Sequence, residues 1–399
     1  MQVYLVGGAV RDKILGRPVK DRDFVVVGAS VEQMLAAGFV QVGADFPVFL
    51  HPTSHEEYAL ARTERKQGHG YKGFRVHASA DVSLQDDLQR RDLTINAMAI
   101  EVVSLTDDTP ITGEVVDYYG GLNDIEDRKL CHVSEAFSED PLRVLRVARF
   151  YGRYQDLGFT IANDTLELMR QLVTSGELSH LSRERVWQES SRATMQLAPH
   201  VYWQLLYELG ALTEYFAPLA HAWHHAAIRE TVQTALYFAG QMQLNLSQRW
   251  SLLMSSIDKS LFHLSSSTLE TGISKIIPPE KQISEIGKLA KVPKAQTQFA
   301  TLFVQQAQHL AHIDQLNAAQ KIDLIQACSA HKAPEKLSQL LVVSQVLQLG
   351  ANHRRMMLAL SSFHAIDITS IAPDIKGAAI GHALRDARID HLQAQDKQV

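Results

Sequence analysis

The sequence predicts an α+β protein in which a β-containing head is followed by a long helical region. Up to about Val133, short β-prone runs are interspersed with glycines and polar turns. From Glu139 onward, long stretches rich in Leu, Ala, Gln and Arg predict that the C-terminal two-thirds of the chain is α-helical. The length of 399 residues is enough for two or more domains, each with its own core.

The first predicted elements are a strand from Val3 to Val6, a turn at Gly7 and Gly8, and a short helix from Ala9 to Leu15. The glycines let the backbone turn tightly and approach a ligand closely. The free N–H groups at the start of the helix favour an anion such as a nucleoside triphosphate. Arg11 lies in the first helical turn, where the helix dipole disfavours a cation unless a bound phosphate compensates it.

Two carboxylates, Asp21 and Asp23, follow about a dozen residues later in a segment predicted to be a strand. Spaced by two on a strand, both side chains project from the same face. Two carboxylates so close repel each other unless a cation lies between them, and their hard oxygen ligands suit Mg²⁺. A bare pair with this spacing is more often a solvated turn, but the preceding phosphate-binding pattern favours a metal site.

The rest of the head is predicted as further short elements. Runs of β-prone residues predict strands at Phe46 to Leu50, Tyr58 to Arg62, Ala97 to Val103 and Val115 to Tyr119, and a helix is predicted from Val31 to Ala37. The segment from Glu64 to Ser79 is basic, glycine-rich and without clear periodicity. We therefore predict a mobile loop there rather than a helix or strand, and loops of that length inside a domain are usually functional or disordered.

The segment from Leu88 to Ile100, LQRRDLTINAMAI, places Arg90, Arg91 and Asp92 before an apolar run. A guanidinium can clamp phosphate oxygens while a neighbouring carboxylate accepts a hydrogen bond from a ribose hydroxyl, so the three residues suit a ribonucleotide. The alternative is that Asp92 caps the apolar segment and the arginines form a solvated face.

A helix is predicted to begin near Glu139, Asp140 and Pro141, because acidic residues and proline favour a helix N-terminus. At about 100° per residue, its arginines fall within an arc of roughly 120°. Val144, Val147, Ala148 and Tyr151 form another face that can pack. Such a stripe is normally a solvated face, but here it can also supply nucleotide contacts; the arginines are Arg143, Arg146, Arg149 and Arg153.

Asp140 and Arg143 lie one helical turn apart and form a candidate base-reading pair. An aspartate accepts from an exocyclic amino group, and an arginine donates to the adjacent ring nitrogen. This pattern matches cytosine and adenine, whereas guanine and uracil present a carbonyl and a ring N–H at those places. The pair therefore predicts a protein template that is specific for C and A.

Composition excludes several classes of protein. No uninterrupted apolar stretch approaches about 18 residues, so no membrane span is predicted. The N-terminal segment lacks a basic region before an apolar run, and we predict a cytoplasmic protein. The two cysteines are too few for a disulfide framework or a thiolate metal site. The net charge of −5 neither supports nor excludes nucleic-acid binding.

Four ordered motifs, LVGGAVRD, KDRDF, RRDLTINA and EDPLRVLRVARF, resemble those of the class II tRNA nucleotidyltransferases, the bacterial CCA-adding enzymes. The resemblance is close from Met1 to about Gly210 and weak afterwards. It implies a polymerase-β-like nucleotidyltransferase head with a mixed β-sheet, followed by an all-α neck, body and tail. The expected domains are the head at 1–138, the neck at 139–220, and a tRNA-binding body and tail at 221–399.

The resemblance also implies an activity: addition of C, C and A to the 3′ end of tRNA from CTP and ATP, with release of pyrophosphate. Mg²⁺ is the expected cofactor, tRNA, CTP and ATP are the expected partners, and a monomer is expected. By position in the motifs, Gly8 and Arg11 match the nucleotide-binding turn, and Asp21 and Asp23 match the magnesium ligands. Arg91 and Arg146 match nucleotide contacts, and Asp92 matches the position associated with the ribose. Asp140 and Arg143 match the base template.

Two features refine the resemblance. The Glu64 to Ser79 segment matches the flexible loop that helps such enzymes change from C to A addition, which favours full CCA synthesis. Many relatives carry a metal phosphohydrolase domain with an adjacent His-Asp pair, but no His-Asp dipeptide occurs here, and His224 with His225 alone do not predict a metal site. We therefore expect no phosphohydrolase activity.

Two other functions remain open at this point. A poly(A) polymerase shares the head motifs, and a tRNA-binding protein without catalysis could descend from such an enzyme. The intact pair of Asp21 and Asp23 argues against the second alternative.

Overall fold

The computed structural model describes residues 1–42, 48–66, 74–78, 80–102, 112–262, 277–350, 352–372 and 375–396. The chain divides into two compact units, one of residues 1–193 with 201–214 and the other of residues 194–200 with 215–399. The predicted boundaries at 138 and 220 are not the boundaries of these units, and the finer division into head, neck and body stays a prediction.

A seven-stranded mixed sheet forms the head. Its strands are β1 (Gln2–Val6), β2 (Asp23–Val27), β3 (Val40–Val42), β4 (Val48–Leu50), β5 (Glu57–Leu60), β8 (Met98–Glu101) and β9 (Val115–Asp117). They lie in the order β3-β4-β5-β2-β1-β8-β9, in which β2 and β5 are parallel and the other neighbours are antiparallel. A mixed sheet followed by helices confirms the predicted α+β class.

Alternate residues of β1 and β2 pack on opposite faces of this sheet, as the period of two in a strand requires. Val3 and Leu5 join one buried cluster together with Phe24. Tyr4 and Val6 join the cluster on the other face. Helix α1 (Gly8–Ile14) packs on the first face through Ala9 and Val10. The sheet therefore holds the β1-to-α1 turn at the end of a buried central strand.

Several predicted boundaries differ from the structure. Strand β2 begins at Asp23, where pairing with Val6 of β1 and Glu57 of β5 begins, and Asp21 precedes the strand. The prediction that Asp21 and Asp23 both lie on a strand is therefore wrong. Strand alternation cannot explain a shared orientation of the two carboxylates; their placement depends on the connection from α1 to β2.

A second correction concerns the predicted loop between Glu64 and Ser79. Strands β6 (Arg62–Lys66) and β7 (Phe74–Ala78) pair antiparallel in a separate two-stranded sheet. Residues 67–73 and 79 lie outside the described residues. In the sequence of Phe74–Ala78, Phe, Val and Ala alternate with Arg and His, which is a pattern typical of a strand. The basic and glycine-rich surroundings led to the prediction of a loop instead. A predicted loop at both strands was therefore wrong.

The remainder of the structure is mainly helical, as predicted. A two-residue strand β10 (Lys129–Leu130) pairs with β11 (Thr160–Ile161). The helices are α2 (Val31–Ala36), α3 (Leu84–Gln89), α4 (Gly121–Glu126), α5 (Leu142–Arg153), α6 (Asn163–Thr174), α7 (Arg183–Thr194), α8 (Pro199–Glu208), α9 (Thr213–Ala222), α10 (Ala226–Gln241), α11 (Leu246–Ser255), α12 (Pro279–Leu289), α13 (Lys294–Ala311), α14 (Ala318–Ala327), α15 (Pro334–Val346), α16 (His353–Ala365) and α17 (Ala379–Asp396).

Helix α5 begins where its sequence predicts. Pro141 precedes the first residue, and an oxygen of Asp140 accepts a hydrogen bond from the Leu142 amide at 3.1 Å. Val144, Val147 and Ala148 are fully buried, which confirms the packed face of this helix. Among the described residues, no helix is long and apolar enough to cross a membrane.

Candidate active site

The turn between β1 and α1 forms the floor of the site. Gly7 has φ 67° and ψ −122°, a conformation that only glycine adopts readily. Its amide donates to the Met98 carbonyl at 3.1 Å, and its carbonyl accepts from the Arg11 amide at 3.1 Å. A Cβ atom built on Gly7 would lie 2.8 Å from Nη1 of Arg91. The missing side chain therefore makes room for the Arg91 guanidinium beside the turn.

Arg11 is buried, and its charge is compensated within the protein. Its Nε and Nη2 donate to Oδ1 of Asp12 at 3.0 and 2.9 Å, and its Nη1 donates to Oδ1 of Asn96. The guanidinium also lies 5.2 Å from the ring centre of Phe150. The expected penalty for a cation at the start of α1 is thus offset by Asp12 even without a phosphate.

Asp12, which the sequence analysis did not single out, connects α1 to α5. Its Oδ2 accepts from Nη2 of Arg153 at 2.8 Å, and its Oδ1 accepts from the Tyr154 hydroxyl at 3.2 Å. Burial raises the pKa of Tyr154 to about 12, so this hydroxyl stays protonated and can donate. Asp12 is therefore a shared anchor for two arginines, and its place directly after Arg11 was the available sequence signal.

Arginines from several elements meet in one cavity of about 650 Å³ that opens over the β1-to-α1 turn. All four arginines of the predicted stripe on α5 line this cavity. The stripe is therefore part of the cavity wall and is not an ordinary solvated helix face. The lining residues are Gly7, Gly8, Arg11, Asp23, Val48, Arg62, Arg90, Arg91, Asp92, Asn96, Asp140, Leu142, Arg143, Arg146, Arg149, Phe150, Arg153 and Arg185. Because arginines greatly outnumber carboxylates among them, the cavity suits a polyanion.

Asp92 is buried against Arg146 rather than at a solvated cap. Its Oδ2 accepts from Nε of Arg146 at 2.7 Å, and its Oδ1 accepts from Nδ2 of Asn96 and from the Leu93 amide, each at 2.9 Å. Burial alone would raise the pKa of Asp92, but Arg146 and these hydrogen bonds lower it overall. Asp92 is therefore ionised and fixes the position of Arg146.

Asp87 fixes the position of Arg91, as Asp92 does for Arg146. Oδ1 of this buried carboxylate accepts from Nη2 of Arg90 at 3.0 Å, and Oδ2 accepts from Nη2 of Arg91 at 3.2 Å. The two arginines hold the pKa of Asp87 below its usual range despite burial. Nε of Arg91 is buried and has no hydrogen-bond partner among the described residues. An acceptor that enters the cavity can use this donor.

The candidate template pair is not formed by direct contact in this structure. Oδ2 of Asp140 accepts from Nη2 of Arg185 on α7 at 2.8 Å. The Arg143 guanidinium donates to the backbone carbonyls of Ala136, at 2.5 Å, and Arg90. The structure thus brings Asp140 and Arg143 to the same cavity, while each side chain also has a protein partner.

Two residues of α7 were missed by the sequence analysis. Arg185 binds Asp140, and the buried Glu189 accepts from Nε of Arg149 at 2.5 Å. Oε1 of Glu189 also lies 3.9 Å from Nη1 of Arg146. The spacing of four places Arg185 and Glu189 on one helix face, but nothing in the local sequence indicates that this face meets α5.

Asp21 and Asp23 lie at a second cavity of about 750 Å³, and Asp23 lines both cavities. Desolvation raises the pKa of Asp23, Arg91 opposes this shift, and Asp21 adds to it. Among the described residues, neither carboxylate has a hydrogen bond or an ion pair. Within the same part of the chain, no group of three or more His, Cys, Asp or Glu side chains is arranged to hold a metal ion.

Comparison with known proteins identifies the family. Residues 3–131 match the family model of the poly A polymerase head domain, and residues 158–223 match the model described as a probable RNA and SrmB-binding site of polymerase A. The multifunctional CCA protein of Pseudomonas aeruginosa PAO1 is 43% identical over 421 aligned positions, which cover 100% of this chain and 99% of that protein. The CCA-adding enzyme of Marinobacter nauticus is 43% identical over 399 positions, with 98% of each chain covered. The chain belongs to the CCA-adding enzymes.

Solved structures of CCA-adding enzymes share the fold. The Thermotoga maritima CCA-adding enzyme complexed with tRNA superposes with a TM-score of 0.67 at 18% identity, covering 98% of this chain and 87% of that one. A CCA-adding enzyme in complex with CTP superposes with a TM-score of 0.65 at 20% identity, covering 98% and 87%. The family resemblance and the nucleotidyltransferase head are thereby confirmed, whereas the roles of individual site residues stay predictions.

Proposed function

We propose that this protein adds C, C and A to the 3′ end of tRNA from CTP and ATP and releases pyrophosphate. The observation that carries the proposal is the arginine-lined cavity, in which the glycine turn and Asp23 meet Asp140, just before α5, and Arg143 of α5. A triphosphate, a metal pair and a base can therefore be bound at one place. Two relatives that are similar over the full chain are named a multifunctional CCA protein and a CCA-adding enzyme, which supports the proposal.

The residues present fit two Mg²⁺ ions at Asp21 and Asp23. Their carboxylate oxygens form no hydrogen bond or ion pair with the described residues, so their lone pairs are available. Two carboxylates leave further coordination positions for phosphate oxygens and water, which is how Mg²⁺ is usually bound at nucleotide sites. Bound Mg²⁺ supplies activation of the 3′-hydroxyl and neutralisation of the triphosphate.

The cavity's own groups bind and orient the triphosphate. The backbone N–H groups at the start of α1 face the turn at Gly8, and the unpartnered Nε of Arg91 provides a buried donor. Arg11, held by Asp12, lies at the same turn, because a Cβ atom on Gly8 would be 3.4 Å from its Nη2. These donors stabilise the charge on the leaving pyrophosphate.

Selection of the nucleotide is assigned to α5 and to Asp92. Oxygens of Asp92 can accept from a ribose hydroxyl in addition to their protein partners, and Arg146 is oriented by the same carboxylate. Asp140 and Arg143 are the proposed template for the Watson–Crick edges of cytosine and adenine. Rotation of the Arg143 side chain away from the Ala136 and Arg90 carbonyls would release its donors for a base.

A single assay tests the function. The protein is incubated with a tRNA that lacks its CCA end, and with CTP and ATP together or singly. We expect extension by three nucleotides and then a stop, with ATP alone giving no extension of this substrate. Long extension with ATP alone would instead indicate a poly(A) polymerase, and absence of any extension would indicate a non-catalytic tRNA-binding protein.

Replacement of Gly7 by alanine tests the triphosphate position. The added Cβ would lie 2.8 Å from Nη1 of Arg91 and must displace that guanidinium. We expect the KM for CTP to rise by about 10-fold, which corresponds to one charge-assisted hydrogen bond. Steady-state kinetics at saturating tRNA measures this change.

Gly16→Ala is the matched control, because Gly16 also has a positive φ, 65°, but a Cβ there meets nothing within 4 Å. Both variants lose some stability from backbone strain, and only Gly7→Ala should alter the KM for CTP. Equal KM changes in both variants would remove the assignment to Arg91.

The site-residue roles, the domain boundaries at 138 and 220, the monomeric state and the cytoplasmic location remain predictions from the sequence. They are parts of this proposal, and each is open to a separate test.

A further inference from the structure

Two aromatic side chains of α5 lie among the arginines of the site. Phe150 is buried in the wall of the arginine-lined cavity, and Tyr154, one helical turn later, is fully buried. Their rings are nearly parallel, with an interplanar angle of 4° and 6.1 Å between the ring centres. We propose that Phe150 is a positioning residue for the triphosphate, because its ring holds arginines at the nucleotide site. This inference rests on the proposed function.

Three guanidinium groups surround the Phe150 ring. The distance from the guanidinium carbon to the ring centre is 4.4 Å for Arg149, 5.2 Å for Arg11 and 5.9 Å for Arg146. A cation within about 6 Å of an aromatic ring centre is attracted by the electron-rich face of the ring, most strongly where water is excluded. Arg11 and Arg149 are both buried. Phe150 is therefore a contact that the arginine of α1 shares with two arginines of α5.

Tyr154 continues this arrangement along the helix. The guanidinium carbons of Arg17, Arg11 and Arg153 lie 5.3, 5.4 and 5.5 Å from the centre of its ring. Positions 150 and 154 are spaced by four, so the two rings form one row on α5. Arg11 lies beside both rings, and the aromatic row thus connects α1 to the arginines of α5.

An aromatic ring holds a guanidinium without cancelling its charge. The carboxylates that fix these arginines, Asp12 for Arg11 and Glu189 for Arg149, also remove positive charge that a triphosphate needs. Phe150 carries no net charge, so it fixes the same side chains while the positive potential of the cavity persists. Donors that are already fixed lose less conformational entropy when a phosphate binds. We therefore expect Phe150 to strengthen the binding of phosphates.

The proposed base template is held by other contacts. Asp140 binds Arg185, and the Arg143 guanidinium donates to two backbone carbonyls. The arginines around the Phe150 ring are different residues. Loss of this ring should therefore weaken the binding of CTP, ATP and UTP by the same factor and leave the preference for CTP over UTP unchanged. This expectation separates Phe150 from Asp140 and Arg143.

Phe150→Leu tests the inference, because leucine keeps an apolar side chain but removes the ring. Titration calorimetry measures the affinity of the variant for CTP and for pyrophosphate, each in the presence of Mg²⁺. We expect both affinities to fall by about 10-fold, the effect of a desolvated cation–π contact. In addition assays on a tRNA that lacks CCA, the KM for CTP should rise by a similar factor, with the KM for tRNA unchanged.

A graded change of the ring separates its electrostatics from its shape. Fluorine draws electron density away from the face of an aromatic ring and changes the size of the side chain little. Phenylalanine carrying one, two or three fluorines is incorporated at position 150. The affinity for pyrophosphate should fall stepwise, by about 2-fold for each fluorine, because the attraction of the ring for the guanidinium groups weakens. A role in packing alone would give the same affinity in all three forms.

Phe303 of α13 provides the matched control. Its ring is fully buried and forms no cation–π contact with a described residue. Phe150→Leu and Phe303→Leu should both lower the Tm, because each leaves unfilled space in a core. Only Phe150→Leu should weaken the binding of pyrophosphate. Phe150→Tyr, which keeps an aromatic ring, should retain most of the affinity.

Three results would overturn the positioning role of Phe150. They are unchanged pyrophosphate affinity in Phe150→Leu, equal affinity of the fluorinated forms, and equal weakening by Phe303→Leu. A changed preference for CTP over UTP with unchanged pyrophosphate binding would assign Phe150 to base selection and would also refute it. If the unaltered protein extends no tRNA, the proposed function fails and the inference fails with it. An active protein with insensitive Phe150 variants refutes only the positioning role.

Discussion

Asp23→Asn and Asp21→Asn should each reduce CCA addition by about 1,000-fold or more, because each removes a charged oxygen ligand from the proposed Mg²⁺ pair. Asparagine preserves the size of the side chain, so the loss reports on charge and metal binding rather than on packing. The measurement is single-turnover addition of labelled CTP to a tRNA that lacks CCA, over a range of Mg²⁺ concentrations. Removal of divalent ions by a chelator should abolish the activity of the unaltered protein.

The thermal stability of the same variants provides a second measurement. Asp21 and Asp23 form no hydrogen bond or ion pair through their carboxylates among the described residues, and Asp21 raises the pKa of Asp23. Replacement of one carboxylate should therefore leave the Tm unchanged or slightly raised in the absence of metal. Asp127→Asn, an exposed carboxylate that lines neither cavity, is the control for activity. Full activity in either active-site variant, with the same Mg²⁺ requirement, would refute the metal assignment.

Asp140→Ala should relax the choice of nucleotide. The proposed template presents one acceptor and one donor to the base, and removal of the acceptor eliminates the pattern that distinguishes C and A from U and G. We expect the preference for CTP over UTP, as a ratio of kcat/KM values, to fall by about 100-fold. Competition between labelled CTP and UTP on one tRNA measures this ratio, and Arg143→Ala should act in the same direction.

The structure supplies an informative comparison for this prediction. Arg185 holds the Asp140 carboxylate at 2.8 Å but is not part of the proposed template. Arg185→Ala should therefore leave the acceptor present but less well positioned, and its loss of selectivity should be smaller than that of Asp140→Ala. Arg183→Ala, an exposed arginine two residues earlier on α7, should have no effect on selectivity. Unchanged selection of CTP and ATP in Asp140→Ala and Arg143→Ala would contradict the template.

The arginines of α5 show which features of the site a local sequence pattern can predict and which it cannot. Their spacing predicted one cationic face, and all four arginines do line the same cavity. The spacing could not indicate that Arg143 and Arg149 are buried, or that Arg149 is paired with Glu189. Burial of a helix face depends on which element covers it. Here that element is α7, whose Glu189 contacts Arg149 from 40 positions further along the chain.

Arg11 shows the limit of an argument from a single helix. Its place at the start of α1 correctly indicated that its charge needs compensation. A phosphate was the expected compensation, but the structure supplies Asp12, Asn96 and the ring of Phe150. The same Asp12 also binds Arg153, which is 141 positions away. Side chains of the protein itself therefore fix the position of Arg11 in the site.

The sequence by itself determined the β1-to-α1 glycine turn, the start of α5, the change from a β-containing head to helices and, through four motifs, the family. These features depend on neighbouring residues, because turns, caps and amphipathic faces are set within a few positions along the chain. Only the tertiary structure decided which carboxylate holds which arginine, that Asp21 precedes the strand, and that Asp23 lies between two cavities. The physical reason is that ion pairs and cavities form between elements distant in sequence, whose packing no local pattern specifies.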